Sequence, residues 1–206
     1  MLLAILALMF VFTGCAKEEE EEAVDNRDPV DLTQQGWREF ENFNYDDAYT
    51  MFHDAYGLAP DYADAYSGAG WSLYMTGDNE GAASVWQRGL NTSEPVADLD
   101  VGLGFVAYDQ GDEAGLRECI ERFYAVIQAN ESYQFIHIPG FNVADLQWTL
   151  AESHYLLGEF DDALEMVLVL NPNFSIDLYN EDGSYNDEAV YALAQEIERL
   201  ESIVRG

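Results

Sequence analysis

Few side chains in this sequence have the chemistry of a catalytic or metal-binding site. The three histidines, His53, His137 and His154, lie on different predicted elements, and no two stand at a spacing typical of metal ligands. We expect His137 to pack or to form hydrogen bonds rather than to bind a metal. Cys119 stands alone on a predicted helix, with no base or positive cluster near it in sequence, so we expect a buried free thiol.

Acidic residues could bind cations, but their positions have a simpler explanation. Acidic pairs begin three of the predicted second helices: Asp46–Asp47, Asp112–Glu113 and Asp161–Asp162. The helix dipole favours negative charge there by about 0.3–1 kcal/mol. Asn180, Asp182 and Ser184 weakly resemble a calcium loop, but the acidic first residue and the closing glutamate are missing. The sequence contains no phosphate loop, serine elbow or zinc pattern, so we expect no enzyme, no metal and no cofactor.

The composition limits the kind of partner. The 206 residues include 40 Asp and Glu against 8 Lys and Arg, which gives a formal net charge of -32. Nucleic acid is itself a polyanion, so we expect no nucleic-acid partner. Two explanations of the acidity stay open: adaptation of the surface to high salt, or a local site for cations or a basic partner.

The segment from Ala63 to Pro95 predicts the helices that must position these side chains. Small and large residues recur there as in a helix, a tight turn and a second helix. Gly77 is predicted to end the first helix in the left-handed conformation, and Asp78 to cap the second. We expect Gly70 to face Ala82, so that the two helices approach closely. Larger side chains are expected to fill the space beside this contact: Tyr66, Leu73 and Trp86.

The same spacing recurs at a period of about 34 residues. The matching positions are Gly36, Ala48, Phe52 and Pro60 in the first copy, Gly104 and Gly111 in the third, and Leu150, Ala151, Gly158, Phe160, Ala163 and Asn171–Pro172 in the fourth. These repeats resemble the tetratricopeptide (TPR) family. The resemblance implies an all-α, right-handed solenoid of about four helix pairs. Apolar residues at helical spacing between Ala189 and Val204 predict a capping helix from about residue 186.

The resemblance also implies which side chains line a groove. In TPR repeats the ninth and twelfth positions of the first helix usually point into the concave groove. The ninth positions here are Trp37, Trp71 and Phe105, with Glu152 in the fourth copy, and the twelfth positions are Phe40, Tyr74, Tyr108 and Tyr155. We predict that these aromatic side chains anchor a segment of a partner protein. The alternative is that they pack against the neighbouring repeat.

The third copy departs from the pattern. Leu116 stands where the other copies have alanine, so we expect its second helix to be displaced or shifted in register. An insertion follows between Glu131 and Val143, and it is too apolar for an ordinary exposed loop. Two alternatives stay open: the insertion folds onto the groove, or a partner covers it.

The N-terminus predicts export and attachment to a lipid. Residues Leu2 to Phe12 form an apolar run that has the length of a signal-peptide core and is too short to span a bilayer comfortably. The sequence Phe12-Thr13-Gly14-Cys15 resembles a bacterial lipobox, which implies removal of residues 1–14 and acylation of Cys15. Ala16 then implies the outer membrane, at its periplasmic face or at the cell surface.

The chain is therefore expected to have three parts: a signal peptide (1–14), a lipidated and disordered acidic tether (15–30) and a solenoid domain (31–206). We expect a non-enzymatic scaffold or adaptor of the cell envelope that binds other proteins or peptides in the groove. Two alternatives stay open. One is an accessory subunit of an outer-membrane or cell-wall assembly machine that uses its lateral surfaces, and the other is surface capture of a small ligand or cation.

Overall fold

The computed structural model describes residues 27–205, and the regular elements in that part of the chain are α-helices. Their bounds are α1 (Pro29–Glu41), α2 (Tyr45–Leu58), α3 (Ala63–Met75), α4 (Asn79–Gly89), α5 (Ala97–Gln110), α6 (Glu113–Ala129), α7 (Val143–Leu156), α8 (Phe160–Leu170) and α9 (Asp187–Val204). None of these helices is long and apolar enough to cross a membrane. The all-α expectation is confirmed.

The helices pack as four successive pairs and a closing helix. Helix α1 packs on α2, α3 on α4, α5 on α6, and α7 on α8. Each pair also contacts the next one, through α2 and α3, α4 and α5, and α6 and α7. The expected capping helix is α9, which packs on α7 and α8. This pairing of each unit with its neighbours is the arrangement of a helical solenoid.

Local sequence signals start and end these helices as predicted. The Asp78 side chain accepts a hydrogen bond from the Gly81 N–H at 2.9 Å and so caps α4. Gly77, just before it, has a φ of 86°, which glycine adopts without strain. Helix α7 begins with a capping box, in which Asn142 and Asp145 each bond the backbone of the other. Each unit is thus delimited by its own residues.

In each of the first three units, the helix crossing places a glycine of the first helix against an aromatic ring of the second. A Cβ added at Gly70 would lie 2.2 Å from the Trp86 Nε1 atom. The same contact recurs in the first and third units: Gly36 with Phe52, and Gly104 with Phe123. Trp86 was expected to fill the space beside this crossing, and its ring lies against Gly70. Helical side chains lean toward the N-terminus and cover the preceding turn, which brings the indole over the glycine.

The second helix of the third unit is shifted in register, as Leu116 predicted. In the second unit the small residue of this helix follows Gly70 by 12 positions, whereas in the third unit Cys119 follows Gly104 by 15. Cys119 is fully buried and forms no disulfide. Burial raises the pKa of its thiol to about 12, so the group stays protonated and packs as a small residue.

The first helix begins two residues before the predicted domain boundary. Asp28 caps α1, and Pro29 occupies its first turn, where a missing N–H costs nothing. The last residues assigned to the tether (15–30) therefore belong to the helical domain. The predicted signal peptide (1–14) and Cys15 lie outside the described residues.

Candidate partner-binding face

Predicted groove residues of the first three units lie together on one face of α1, α3 and α5, which we call the inner face. On α1 the rings of Trp37 and Phe40 meet edge to face, with centroids 5.5 Å apart. On α3 the rings of Trp71 and Tyr74 do the same at 5.8 Å. Phe105 of α5 lies 6.4 Å from Trp71. These five side chains lie on the first helices of three successive units.

The other two predicted groove residues contact the fourth unit. Tyr108 on α5 donates a hydrogen bond to Glu152 on α7, and burial followed by this bond raises the pKa of Tyr108. The ring of Tyr155 packs on Phe160 of α8, with centroids 5.3 Å apart. Tyr108 thus ties the third unit to the fourth, and Tyr155 belongs to the packing of the fourth unit.

Residues 130–142, the α6–α7 loop, lie across the inner face. Ring contacts join this loop to three helices: Phe141 to Phe105 of α5 at 5.6 Å, Phe135 to Trp71 of α3 at 4.7 Å, and His137 to Trp37 of α1 at 3.6 Å. The loop therefore reaches from the third unit to the first. Of the two alternatives for the apolar insertion, the structure shows the one in which it folds onto the groove.

The loop runs out and back as a short hairpin. The Phe135 N–H donates to the Phe141 carbonyl at 3.1 Å, and the Val143 N–H donates to the Tyr133 carbonyl at 2.9 Å. The turn between the two arms contains Gly140, whose φ is 86°. These bonds hold residues 133–135 in an extended conformation against the helices, and residues 136–140 form the turn.

Alternate side chains of the outgoing arm point toward the inner face. Tyr133 and Phe135 are buried, and His137 is largely covered. Gln134 and Ile136 face outward, and Ile136 is 76% exposed. The alternation over residues 133–135 is what an extended strand produces when one of its faces is buried, and His137 reaches the same face from the turn that follows.

Carboxylates of the inner face bind the polar atoms of the loop. The Tyr133 hydroxyl donates to Asp98 Oδ1 at 2.7 Å, and His137 Nδ1 lies 2.9 Å from Glu41 Oε1. Burial raises the pKa of Asp98, which the bond from Tyr133 partly offsets. The expectation that His137 packs and forms hydrogen bonds is confirmed.

The two indole N–H groups of the inner face differ. Trp37 Nε1 donates to Asp64 Oδ1 at 3.0 Å, and burial raises the pKa of Asp64. Trp71 Nε1 is buried and has no hydrogen-bond acceptor among residues 27–205. A buried donor without a partner costs about 1–3 kcal/mol, so the covered inner face is locally destabilised at Trp71.

An open cavity of about 600 Å³ lies beside the loop, between the inner face and the end of α9. Its walls come from the inner face and the loop: Trp71, Tyr74, Met75, Phe105, Ile138 and Phe141. Arg205, which also lines it, places its guanidinium carbon 4.1 Å from the centroid of the Trp148 ring. Met75 is 41% exposed, so one side of the inner face remains accessible from solvent.

Solved structures of other proteins have the same architecture. A crystal structure of MamA matches 69% of this chain and 75% of its own, with 20% sequence identity and a TM-score of 0.56. YrrB, described as a TPR protein with an unusual peptide-binding site, matches 85% of this chain and 87% of its own, with 15% identity and a TM-score of 0.61. The fold is that of a TPR solenoid. No protein-family model and no curated protein matches the sequence.

The junction of the third and fourth TPR units holds a polar cluster that sequence reasoning missed. His154 Nδ1 lies 2.8 Å from Glu159 Oε2, and the Tyr124 hydroxyl lies 3.1 Å from His154 Nε2. Arg117 donates to Glu159 at 3.0 Å, and the bonds from His154 and Arg117 lower the pKa of Glu159. Asp162 completes a group with His154 and Glu159 whose atoms could hold a metal ion.

Glu159 and Asp162 follow His154 by five and eight residues across the α7–α8 turn, and this spacing is the sequence signal for the cluster. His154 is therefore close to two acidic residues, although no other histidine lies at a ligand spacing from it. Both nitrogens of its ring have hydrogen-bond partners within the protein, so the arrangement is that of a polar network joining α6, α7 and α8.

Proposed function

We propose that this TPR solenoid is an interaction module that binds an extended segment of a partner protein on its inner face. One observation carries the proposal: a segment of this chain, the α6–α7 loop, already lies there with Tyr133, Phe135 and His137 against the helices. Extended peptides are commonly recognised in this way, through pockets for alternate side chains. A surface that holds its own segment has the shape and chemistry to hold a similar segment of another protein.

Aromatic rings and carboxylates set the chemistry of the proposed binding. Trp37, Trp71 and Phe105 offer apolar anchors, which commonly contribute about 2 kcal/mol or more each when desolvated. Glu41 and Asp98 bind donor groups at the two ends of the loop's outgoing arm. Together with the net charge of -32, these carboxylates favour a basic or mixed protein segment over nucleic acid.

We propose a binding role rather than an enzymatic one. The Cys119 thiol is buried and stays protonated, which makes it a poor nucleophile. The His154 ring is engaged on both sides by Tyr124 and Glu159. Neither the thiol nor the imidazole is thus available for catalysis, and the proposed role requires neither a metal nor a cofactor.

We further propose that acylation of Cys15 holds the module at the bacterial outer membrane, on its periplasmic face or at the cell surface. The lipobox-like sequence at residues 12–15 supports this, and the acidic stretch after it supports a tether. Cys15→Ser should move the protein from the membrane fraction to the soluble fraction and abolish labelling with a radioactive fatty acid. Cys119→Ala is the matched control and should stay membrane-bound. A Cys15→Ser protein that remains acylated would contradict this part of the proposal.

Site-specific photo-crosslinking in native membranes tests the binding role. A photoreactive amino acid in place of Met75 would report contacts at the open side of the inner face, whereas the same probe in place of Tyr191, which is 65% exposed on α9, would report contacts elsewhere. We expect a partner to crosslink from position 75 through one short, extended segment, identified by mass spectrometry. A partner that crosslinks only from position 191 would contradict inner-face binding.

The cover over the inner face favours a second candidate, in which partners contact the outer surfaces of the solenoid. Large apolar side chains are exposed on the last three helices: Leu156, Val169, Tyr191 and Ile203. Such contacts would suit an accessory subunit of an outer-membrane or cell-wall assembly machine. Stable co-purification together with crosslinks from Tyr191 would support this candidate over the first.

A further inference from the structure

The α6–α7 loop shows which side chains the inner face accepts, position by position. Tyr133, Phe135 and His137 occupy three consecutive sites, one for each alternate residue. At the first site Asp98 accepts the Tyr133 hydroxyl at 2.7 Å. At the second site the ring of Phe135 stacks on Trp71, with centroids 4.7 Å apart and planes at 29°. Both of these sites take an aromatic ring.

The third site has the chemistry to bind a flat cation. The His137 ring lies parallel to the Trp37 indole, with centroids 3.6 Å apart and planes at 3°. Glu41 Oε1 is 2.9 Å from His137 Nδ1, and Asp64 bonds the edge of the same indole at 3.0 Å. An indole face beside two carboxylates attracts a guanidinium, which is planar and carries its charge at every physiological pH. An arginine from a partner therefore fits this site better than an imidazole does.

Matching positions of the first two repeats differ in how their tryptophan N–H groups are bonded. Trp37 and Trp71 are 34 positions apart, and so are Asp64 and Asp98. Trp37 donates to Asp64, whereas Trp71 Nε1 has no acceptor in the described part of the chain, and Asp98 accepts from Tyr133. When the loop leaves, Phe135 no longer covers Trp71, and the indole N–H can bond to water or to Asp98. Departure of the loop thus relieves an unsatisfied buried group.

We propose that the inner face recognises a partner segment with the pattern aromatic–x–aromatic–x–arginine, and that the α6–α7 loop competes for the same three sites from within the chain. The inference rests on the proposed binding role. The loop fills the third site with an imidazole, so a segment that places a permanent cation there binds the site more tightly and displaces the loop. A partner segment then binds only if it binds the inner face more strongly than the α6–α7 loop does.

Peptide binding to the full-length protein in detergent tests the inference. Labelled peptides would carry the sequence of residues 131–142, with histidine, arginine or glutamate at the position of His137, and fluorescence anisotropy would measure their affinity. We expect the arginine peptide to bind roughly fivefold tighter or more than the histidine peptide, and the glutamate peptide to bind weakest. Tyr133→Phe in the protein removes the bond to Asp98 and should tighten binding of every peptide. Tyr124→Phe, whose hydroxyl bonds His154 away from this face, is the matched control and should not change it.

Each outcome decides part of the inference. Equal affinity for the arginine and glutamate peptides would rule out the cation site, and equal affinity of wild type and Tyr133→Phe would rule out the competitor role. Absence of binding by every peptide to both proteins would overturn the whole inference. A partner that crosslinks from position 75 and is not displaced by any peptide would leave the binding role standing and reject the pattern. Peptide binding without a crosslinked partner would leave the pattern standing and contradict the binding role.

Discussion

Phe135→Ala tests whether the α6–α7 loop is a separable part of the fold. The Phe135 side chain is 1% exposed and its ring meets four others: Trp71 at 4.7 Å, His137 at 5.7 Å, Trp37 at 5.9 Å and Phe141 at 6.0 Å. Burial of a phenylalanine stabilises by about 1.5–3 kcal/mol, and each favourable aromatic pair adds about 0.5–1.5 kcal/mol. Loss of this ring therefore removes enough free energy to undock the loop.

Phe123 provides the matched comparison. It is fully buried in α6 against Gly104, and no local movement can remove it from the core. We expect Phe123→Ala to lower the free energy of unfolding by about 3–5 kcal/mol. Phe135→Ala should lower it by only about 1–2 kcal/mol, because the loop can leave the face and no cavity then remains in the helical core.

Urea unfolding of the full-length protein in detergent would measure both values, and hydrogen exchange read by mass spectrometry would locate the change. In Phe135→Ala we expect faster exchange at the amides of residues 135 and 143, which bond across the hairpin in the wild type, and unchanged protection in α5 and α6. If Phe135→Ala costs as much as Phe123→Ala and protection falls throughout α3 and α5, the loop is part of the cooperative core. The reasoning that makes it a displaceable competitor would then be refuted.

Two further predictions concern the packing of the solenoid. Gly70→Ala should lower the free energy of unfolding by about 1–3 kcal/mol, because the new Cβ would lie 2.2 Å from the buried Trp86 ring; Gly57→Ala, which has open space, should raise it by about 0.5–1 kcal/mol. Thermal denaturation compares the two, and equal losses would contradict this account of the helix crossing. The hydrogen bond from Arg199 lowers the pKa of Glu196, so its carboxylate stabilises the fold above the unfolded pKa of about 4.3 and this contribution is lost as pH falls through the lower folded pKa. Glu196→Gln should therefore cost about 1 kcal/mol at pH 7 and less toward pH 3, and a difference from wild type that stays constant over this range would argue against the linkage.

Features of the fold that depend on local chemistry are predicted correctly from the sequence. Gly77 and Asp78 end one helix and begin the next through their own backbone and side-chain preferences, whatever surrounds them. Spacing also indicates that two helices approach at Gly70 with Trp86 beside the crossing, and the Trp86 ring lies against Gly70.

Only part of the candidate site follows from the sequence. The repeat places Trp37 and Trp71 correctly on adjacent helices, because both come from one periodic position. The cover over them could not be predicted, since the apolar loop has no period and its place depends on long-range contacts such as the stack of His137 on Trp37. The cluster around His154 was missed for a similar reason, because its partner Tyr124 comes from a different helix.

The bond between His137 and Glu41 joins positions 96 residues apart along the chain. An array of repeats with contacts only between neighbours unfolds by fraying, one unit at a time from either end. Here the first unit cannot fray without also releasing a segment that is rooted between the third and fourth units. Fraying of the first unit should therefore cost the docking free energy of the loop in addition to the contacts of the unit itself. Because this contact joins positions so far apart along the chain, the units should fold first and the loop should dock last.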